Sequence, residues 1–242
     1  MRLFIGVLRE GLLCEVARYK VRRTVAHATI NRHVQPALGR ILIPSSNLIR
    51  IGGGLTSAAA GLLLLLGHLL DLGGDSEYGT VLGGSLVLAA HVVLVFGLVA
   101  LYAAQAERSG PLGVLGMVLG VVGTTLVSGV VLVEIAGAYG AEVEDVLGAG
   151  LPGALALLGG LAFLIGLILF GAATMRAGVF PRWAGLLLIV GDVVFGLGSF
   201  AGSAATIFEI VGAFITCVAL VWLGFSLLSG GTSAAGQPTR VS

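Results

Sequence analysis

The sequence predicts an all-α integral membrane bundle, and three properties of the chain indicate this fold class. Of its 242 residues, 57% are hydrophobic and only 10% are charged, and the mean hydropathy is +1.08. Soluble domains carry about 25% charged residues, so a soluble globular domain is excluded. The 40 glycines follow no three-residue period, which excludes collagen, and the apolar fraction excludes disorder. Glycine in apolar helices instead allows neighbouring membrane helices to approach closely.

A helix needs about 20 apolar residues to cross the hydrocarbon core of a bilayer. Runs of this length predict six membrane-spanning helices, at about 51–71, 81–103, 112–137, 152–175, 184–203 and 206–229. Turn-forming or charged residues bound the runs, such as Ser109, Gly110 and Pro111 before the third run. The boundary at 201–205 is the weakest because it carries no charge. The alternative is a five-helix bundle with one long bent hairpin at that point.

The distribution of charge between the loops predicts the orientation of the chain. Nine of the 13 basic residues precede residue 51, and the other four are Arg108, Arg176, Arg182 and Arg240. All 13 fall on one side of the membrane when the N-terminus is assigned to the cytoplasm. The opposite loops carry no basic residue and only the acids Asp71, Asp75, Glu77, Glu142, Glu144 and Asp145. The positive-inside rule therefore predicts that both termini are cytoplasmic.

Two terminal segments flank the predicted bundle of residues 51–229. In residues 1–50 the apolar run is interrupted by Arg9, Glu10 and Glu15, so a removable signal peptide of the usual form is not predicted. The alternatives for this basic cytoplasmic segment are an amphipathic surface helix, a disordered tail, or residues added by a misassigned gene start. Residues 230–242 are small and polar and are predicted to form a disordered cytoplasmic tail.

Two stretches of the chain are similar to each other. Residues 94–110 and residues 163–178 both place a glycine, a double alanine, an arginine and a closing glycine in the same order. This pattern favours a parallel helical-hairpin repeat of the kind found in transporters. Chance similarity in a chain rich in glycine, alanine and leucine is the alternative.

The sequences LYAAQAERSGPLG and RAGVFPRWAGLLLIVG resemble cytoplasmic loops of small multi-pass integral membrane proteins of bacteria, whose function is unassigned. The resemblance covers about residues 50–228. It implies a location in the bacterial cytoplasmic (inner) membrane, and it implies no substrate, cofactor or catalytic residue.

Five ionisable residues lie inside the predicted spans, where a charge at the bilayer centre costs at least about 2.5 kcal/mol. Such residues are kept away from the lipid and are the first candidates for function. Asp192 and His91 are predicted near the middle of the membrane, and Glu134, Glu209 and His68 in its outer third.

Each candidate has two interpretations. Asp192 is either a protonatable or cation-binding site, or a neutral acid that hydrogen-bonds between helices, because burial disfavours the charged form. For His91 the alternative is an interhelical hydrogen bond, and for the outer three residues it is an interfacial or packing role. Asp192 shares a helical stripe with Gly196, Ser199 and Ser203, which predicts that it points into the bundle.

The sequence indicates no catalytic site, cofactor or metal. Cys14 and Cys217 belong to no metal-ligand or redox spacing, and His68 and His91 lie at different depths, which argues against haem. A nucleophile elbow, a zinc-protease motif and a P-loop are all missing from the sequence. An enzyme is therefore not favoured, and the basic N-terminus is better explained by topology than by nucleic-acid binding.

Two functional hypotheses follow. The first is a small transporter or permease-like protein for protons, a cation or a small solute, in which the mid-membrane acid does the chemistry. The alternative is a non-transporting scaffold, sensor or assembly partner, in which buried polar residues only determine how the helices pack. The expected partners are the lipid bilayer and, through glycine-rich helix faces, a second copy or another membrane protein.

Overall fold

The structure is a computed structural model that describes residues 46–72, 74 and 78–230, and all regular structure in these residues is helical. The helices are α1 (Ser46–Asp71), α2 (Val81–Ala138), α3 (Glu144–Gly148), α4 (Gly150–Ala177), α5 (Arg182–Leu197) and α6 (Ala205–Ser229). Two short 3₁₀ turns, Gly198–Phe200 and Gly202–Ala204, join α5 to α6. Nearly all of the predicted basic segment 1–50 and of the predicted tail 230–242 lies outside the described residues.

Five of the described helices are long and apolar enough to cross a membrane, as expected of a multi-pass membrane protein. The number is five and not six because α2, counted once, includes both the second and the third predicted spans. The backbone leaves helical geometry at Gly110, where φ is 59° and ψ is −160°, and Pro111 follows. Glycine adopts this positive φ without a Cβ clash, and proline begins a new helical turn readily.

α2 folds back on itself at Gly110. A straight helix of its 58 residues would be about 87 Å long. Instead, Gly84 lies against Ile135 and Gly120 lies against Leu98, so the two halves are antiparallel neighbours. We call residues 81–109 the first arm and residues 111–138 the second arm. Each arm is about 42 Å long, which exceeds the ~30 Å hydrocarbon core, so the two arms together account for the predicted second and third spans.

The two arms, α1, α4, α5 and α6 form a closed ring in which every segment runs antiparallel to both neighbours. Consecutive segments along the chain are in contact, and α6 closes the ring on α1. The residue pairs in contact are Gly67–Gly83 (α1 and the first arm), Gly84–Ile135 (the two arms), Gly166–Gly120 (α4 and the second arm), Gly171–Gly185 (α4 and α5), Gly212–Phe195 (α6 and α5) and Gly224–Gly54 (α6 and α1).

Glycine makes these approaches sterically feasible. A Cβ atom placed on Gly166 would overlap the backbone of Gly120, and one placed on Gly224 would lie 2.5 Å from the carbonyl oxygen of Gly54. Any other residue would push the two backbones apart, so glycine determines where the helices cross.

Three glycines within the long helices do not take part in these contacts. A Cβ placed on Gly52, Gly129 or Gly160 would meet nothing within 4 Å. Most of the glycine-rich faces are therefore used inside this ring, and the predicted association with a second chain through such faces stays a prediction.

The ring has two chemically different ends. We call the end that carries Arg50, Arg108, Arg176 and Arg182 the basic end, and the end that carries Asp71, Glu142, Glu144 and Asp145 the acidic end. At the acidic end, Asp71 stabilises the entry into α2, because its Oδ1 accepts hydrogen bonds from the backbone N–H of Thr80 at 2.8 Å and from the Thr80 hydroxyl at 3.1 Å.

Apolar side chains fill the centre of the ring over its basic half. Seven of them are leucine or phenylalanine side chains that are 0% exposed, contributed by the first arm, α4, α5 and α6. We call this set the apolar plug: Leu98, Leu101, Leu167, Phe170, Leu188, Leu220 and Leu223. The plug separates polar groups of the acidic half from those near the basic end.

The fifth membrane helix is shorter than predicted. α5 ends at Leu197 instead of near residue 203, and the chain then passes through the two 3₁₀ turns. Ser199 and Ser203 lie in these turns and are exposed, so the stripe predicted to join them to Asp192 is wrong beyond Gly196. The cause is local: this stretch is rich in glycine and serine, which favour turns, and Gly202 has a φ of 54°.

The glycine contact between α4 and the second arm can be tested by adding one methyl group. We expect G166A to lower the free energy of unfolding by about 1–3 kcal/mol, because overpacking a close interface costs that amount. The matched control is G160A on the same helix, where a Cβ meets nothing and alanine favours the helix by up to about 1 kcal/mol. Unfolding in detergent micelles measures both variants, and an equal effect of the two would contradict the packing described here.

Candidate functional site

Asp192 lies where α5 and α6 cross closely. Its neighbour Gly191 packs so tightly against α6 that an added Cβ would lie 2.5 Å from Oγ1 of Thr216. Asp192 is 3% exposed, and its Oδ2 has no hydrogen-bond partner among the described residues. Since most buried side-chain polar atoms are hydrogen-bonded, a buried carboxyl oxygen without a partner is unusual. Asp192 therefore retains an unused acceptor oxygen in the interior of a membrane protein.

His91 is held between the two arms of α2 by Thr124. The Nδ1 of His91 lies 2.8 Å from Oγ1 of Thr124, and the Thr124 hydroxyl donates to the backbone carbonyl of His91 at 3.3 Å. The hydroxyl has one proton, so while it donates to the carbonyl, Nδ1 must donate to the hydroxyl oxygen. Nε2 of a neutral His91 then carries the lone pair, which can accept a proton. The ring also packs edge-on against Phe163 of α4, with 5.3 Å between centroids.

Three of the predicted residues, His68, Glu134 and Glu209, gather near Asp71. All three are partly buried, and they come from α1, the second arm and α6. The charge of Asp71 acts on each of the three, and Glu209 also acts on Glu134. We call these four residues the acidic-end cluster.

Within this cluster, His68 points toward α5 and keeps one nitrogen free. Its ring packs edge-on against Phe195, with 5.1 Å between centroids. Its Nε2 has no hydrogen-bond partner in the part of the chain that the structure describes. His68 therefore links α1 to α5 through ring packing.

Electrostatic interactions also connect His91 to the other candidates, while the predicted depths of the five residues stay predictions. His91 interacts electrostatically with His68, which connects it to the acidic-end cluster. His91 hydrogen-bonds to Thr124. Asp192 lies at the crossing of α5 and α6, three residues before Phe195, against which the His68 ring packs.

Within the described residues, no group of three or more His, Cys, Asp or Glu side chains is arranged to hold a metal ion. Cys217 is buried and not disulfide-bonded, and Cys14 lies outside the described residues.

Sequence reasoning was directed at ionisable residues and missed the neutral polar ones. Ser57 donates to the backbone carbonyl of Leu220 at 2.9 Å and so joins α1 to α6. The amide nitrogen of Gln105 donates to the hydroxyl of Thr174 at 3.1 Å and so joins the first arm to α4. One feature of the sequence could have indicated the second bond, which is the isolated Gln105 close to the end of an apolar run. An uncharged amide there does not help to set the orientation of the chain in the membrane, so a hydrogen bond between helices is the simpler explanation.

The hydrogen bond between His91 and Thr124 can be tested with an isosteric substitution. We expect T124V to lower the free energy of unfolding by about 1–3 kcal/mol, because it leaves the buried Nδ1 of His91 unsatisfied. The control is T125V, since the exposed Thr125 bonds only to the carbonyl of Val121 on its own helix. Unfolding of the two purified variants is compared by circular dichroism, and a loss as large in T125V as in T124V would rule out the interhelical role.

No protein-family model, no curated protein sequence and no solved structure matches the chain. Any functional conclusion must therefore come from the arrangement of its own residues.

Proposed function

We propose that this protein is a small permease-like membrane protein that moves protons or a small cation, and that Asp192 is the group that binds or exchanges the transported ion. The observation that carries this proposal is the buried Oδ2 of Asp192, which has no hydrogen-bond partner among the described residues.

This observation favours an ion-exchanging role over a packing role. An acid retained to hold helices together would use both oxygens in interhelical hydrogen bonds, because a buried polar atom without a partner costs about 1–3 kcal/mol. Asp192 does not do so, although α6 is in van der Waals contact with the adjacent Gly191. Ionisable residues inside membrane spans commonly mark ion or proton pathways, and an oxygen kept free for a proton or cation accounts for this cost.

The acidic-end cluster supports a positively charged substrate. Its three acids, Asp71, Glu134 and Glu209, lie within electrostatic range of one another, and a group of acids attracts cations rather than anions. His68 and His91 continue from this cluster toward the centre, and a ring nitrogen of histidine can accept and release a proton. With the orientation predicted from the loop charges, cations reach this cluster from outside the cell.

The apolar plug blocks the path of an ion through the basic half of the ring, so transport requires the plug to open. It closes the basic half of the ring, so an ion at Asp192 reaches the basic end only after the helices that contribute the plug move apart. Such movement is the alternating access that transporters use, with opposite halves opening in turn around a central site.

A non-transporting scaffold or sensor is the second candidate, and the plug favours it. Seven plug residues with no exposed surface and close glycine contacts describe a rigid bundle. In that case Asp192 is a neutral packing group, and cations bind at the acidic end without crossing.

Ion flux in proteoliposomes tests the proposal. We expect the wild-type protein to carry protons, Na⁺ or K⁺ down an imposed gradient, detected by an entrapped pH dye or by ⁸⁶Rb⁺ and ²²Na⁺ uptake. We expect D192N to reduce this flux at least about tenfold, because an amide keeps the shape of the acid but can neither exchange a proton nor supply a negative charge to a cation.

The matched control is D145N, which makes the same chemical change at an exposed acid of α3. It should retain the wild-type flux. Wild-type protein with no flux above that of protein-free liposomes, or D192N with full flux, would overturn the role proposed for Asp192 and favour the scaffold.

A further inference from the structure

We propose that Gln105 and Ser109 bind a water molecule inside the basic end of the ring, on the opposite side of the apolar plug from the acidic-end cluster. Gln105 is 1% exposed and Ser109 is 7% exposed. They are four residues apart on the first arm, so their side chains lie on the same face of the helix. Oε1 of Gln105 and Oγ of Ser109 both lack a hydrogen-bond partner among the described residues, so they do not bond to each other.

The orientation of the Gln105 amide follows from its neighbour Thr174. The Thr174 hydroxyl donates its single proton to the backbone carbonyl of Phe170 at 2.9 Å. It can therefore only accept from Gln105, at 3.1 Å, which places the amide nitrogen toward Thr174. The carbonyl oxygen Oε1 is consequently the free atom, and it requires a donor.

Water is the ligand that matches the two free atoms. Oε1 of Gln105 accepts one hydrogen bond, and the Ser109 hydroxyl both donates and accepts. A bound molecule must therefore be small, neutral and able to donate at least once. Buried waters make two to four hydrogen bonds to polar groups that would otherwise be unsatisfied, and these two atoms supply the minimum. This set of atoms offers a cation one amide oxygen and hydroxyl oxygens but no carboxylate, so it fits water better than a cation.

The proposed water would complete a polar layer close to the Gly110 turn. Gln105 already joins the first arm to α4 through Thr174, and Ser109 directly precedes Gly110. A water between Gln105 and Ser109 would couple the last turn of the first arm to that interhelical bond. The inference does not depend on the proposed transport activity, because it concerns a different set of atoms.

A double-mutant cycle in thermal unfolding tests this site. We expect S109A to lower the melting temperature of the detergent-solubilised protein by about 2–4 °C, the shift that a loss of one hydrogen-bonded bridge produces in a chain of this size. In the Q105M background we expect less than half of that shift, because the bridge is already broken there. The Gln105–Thr174 bond is present in both wild type and S109A, and it is absent from both Q105M and the double variant. Loss of that bond therefore contributes to neither of the two S109A shifts.

The control for this cycle is S128A, because Ser128 bonds only to the carbonyl of Thr124 on the second arm. Its effect should be the same with and without Q105M. An equal shift for S109A in both backgrounds means that nothing bridges the two side chains and overturns the proposal.

Infrared spectroscopy provides a measurement that leaves Gln105 and Ser109 unchanged. The chain has three glutamines, Gln35, Gln105 and Gln237. With Q35N and Q237N and ¹³Cδ-labelled glutamine, the labelled carbonyl band reports Gln105 alone. We expect the lower frequency of a hydrogen-bonded amide carbonyl, and the higher frequency of a free carbonyl would overturn the site even if the variants used for unfolding fail to fold.

Discussion

Backbone contact at glycine is the constraint on which the rest of this structure depends. In a membrane, apolar side chains gain little by leaving the lipid for one another, so helices associate mainly through close packing and interhelical hydrogen bonds. Here the segments of the ring approach at positions such as Gly166 and Gly120, where a single methyl group would overlap the opposing backbone. Each crossing point determines which turns of two helices face each other, and the ring closes because α6 meets α1 in the same way, at Gly224 and Gly54.

This packing distributes the polar groups along the axis of the ring. The acidic-end cluster collects carboxylates and a histidine from α1, the second arm and α6, and His91 continues from it toward the centre. The apolar plug then fills the basic half, and Gln105 and Ser109 form a second polar position beyond it. Ionisable groups toward one end, an apolar barrier and a small polar position near the other end are consistent with the proposed transport if the barrier opens. They are equally consistent with a rigid bundle if the barrier does not move.

Asp192 is the residue that distinguishes the proposed transporter from a rigid scaffold. It is almost fully buried, one of its oxygens is unpartnered among the described residues, and α5 ends soon after it at Leu197. His91 provides the contrast, because its Nδ1 is bonded to Thr124 and its environment is explained by helix packing. The Nδ1 bond of His91 fixes that ring between the two arms, whereas the free oxygen of Asp192 is the observation on which its proposed role depends.

The helical class and most of the membrane spans could be predicted from the order of residues alone, because the length of an apolar run sets whether a helix can cross a bilayer, and this property is local. The five ionisable residues within the spans were also evident in the sequence. Their partners were not: nothing near His91 in the chain indicates Thr124, which is 33 residues away, or the ring of Phe163. The same holds for His68 against Phe195 and for the hydrogen bond from Gln105 to Thr174. Such pairs depend on how far each helix is rotated and shifted relative to its neighbours, and close contacts between glycines distant in the chain determine that rotation and shift.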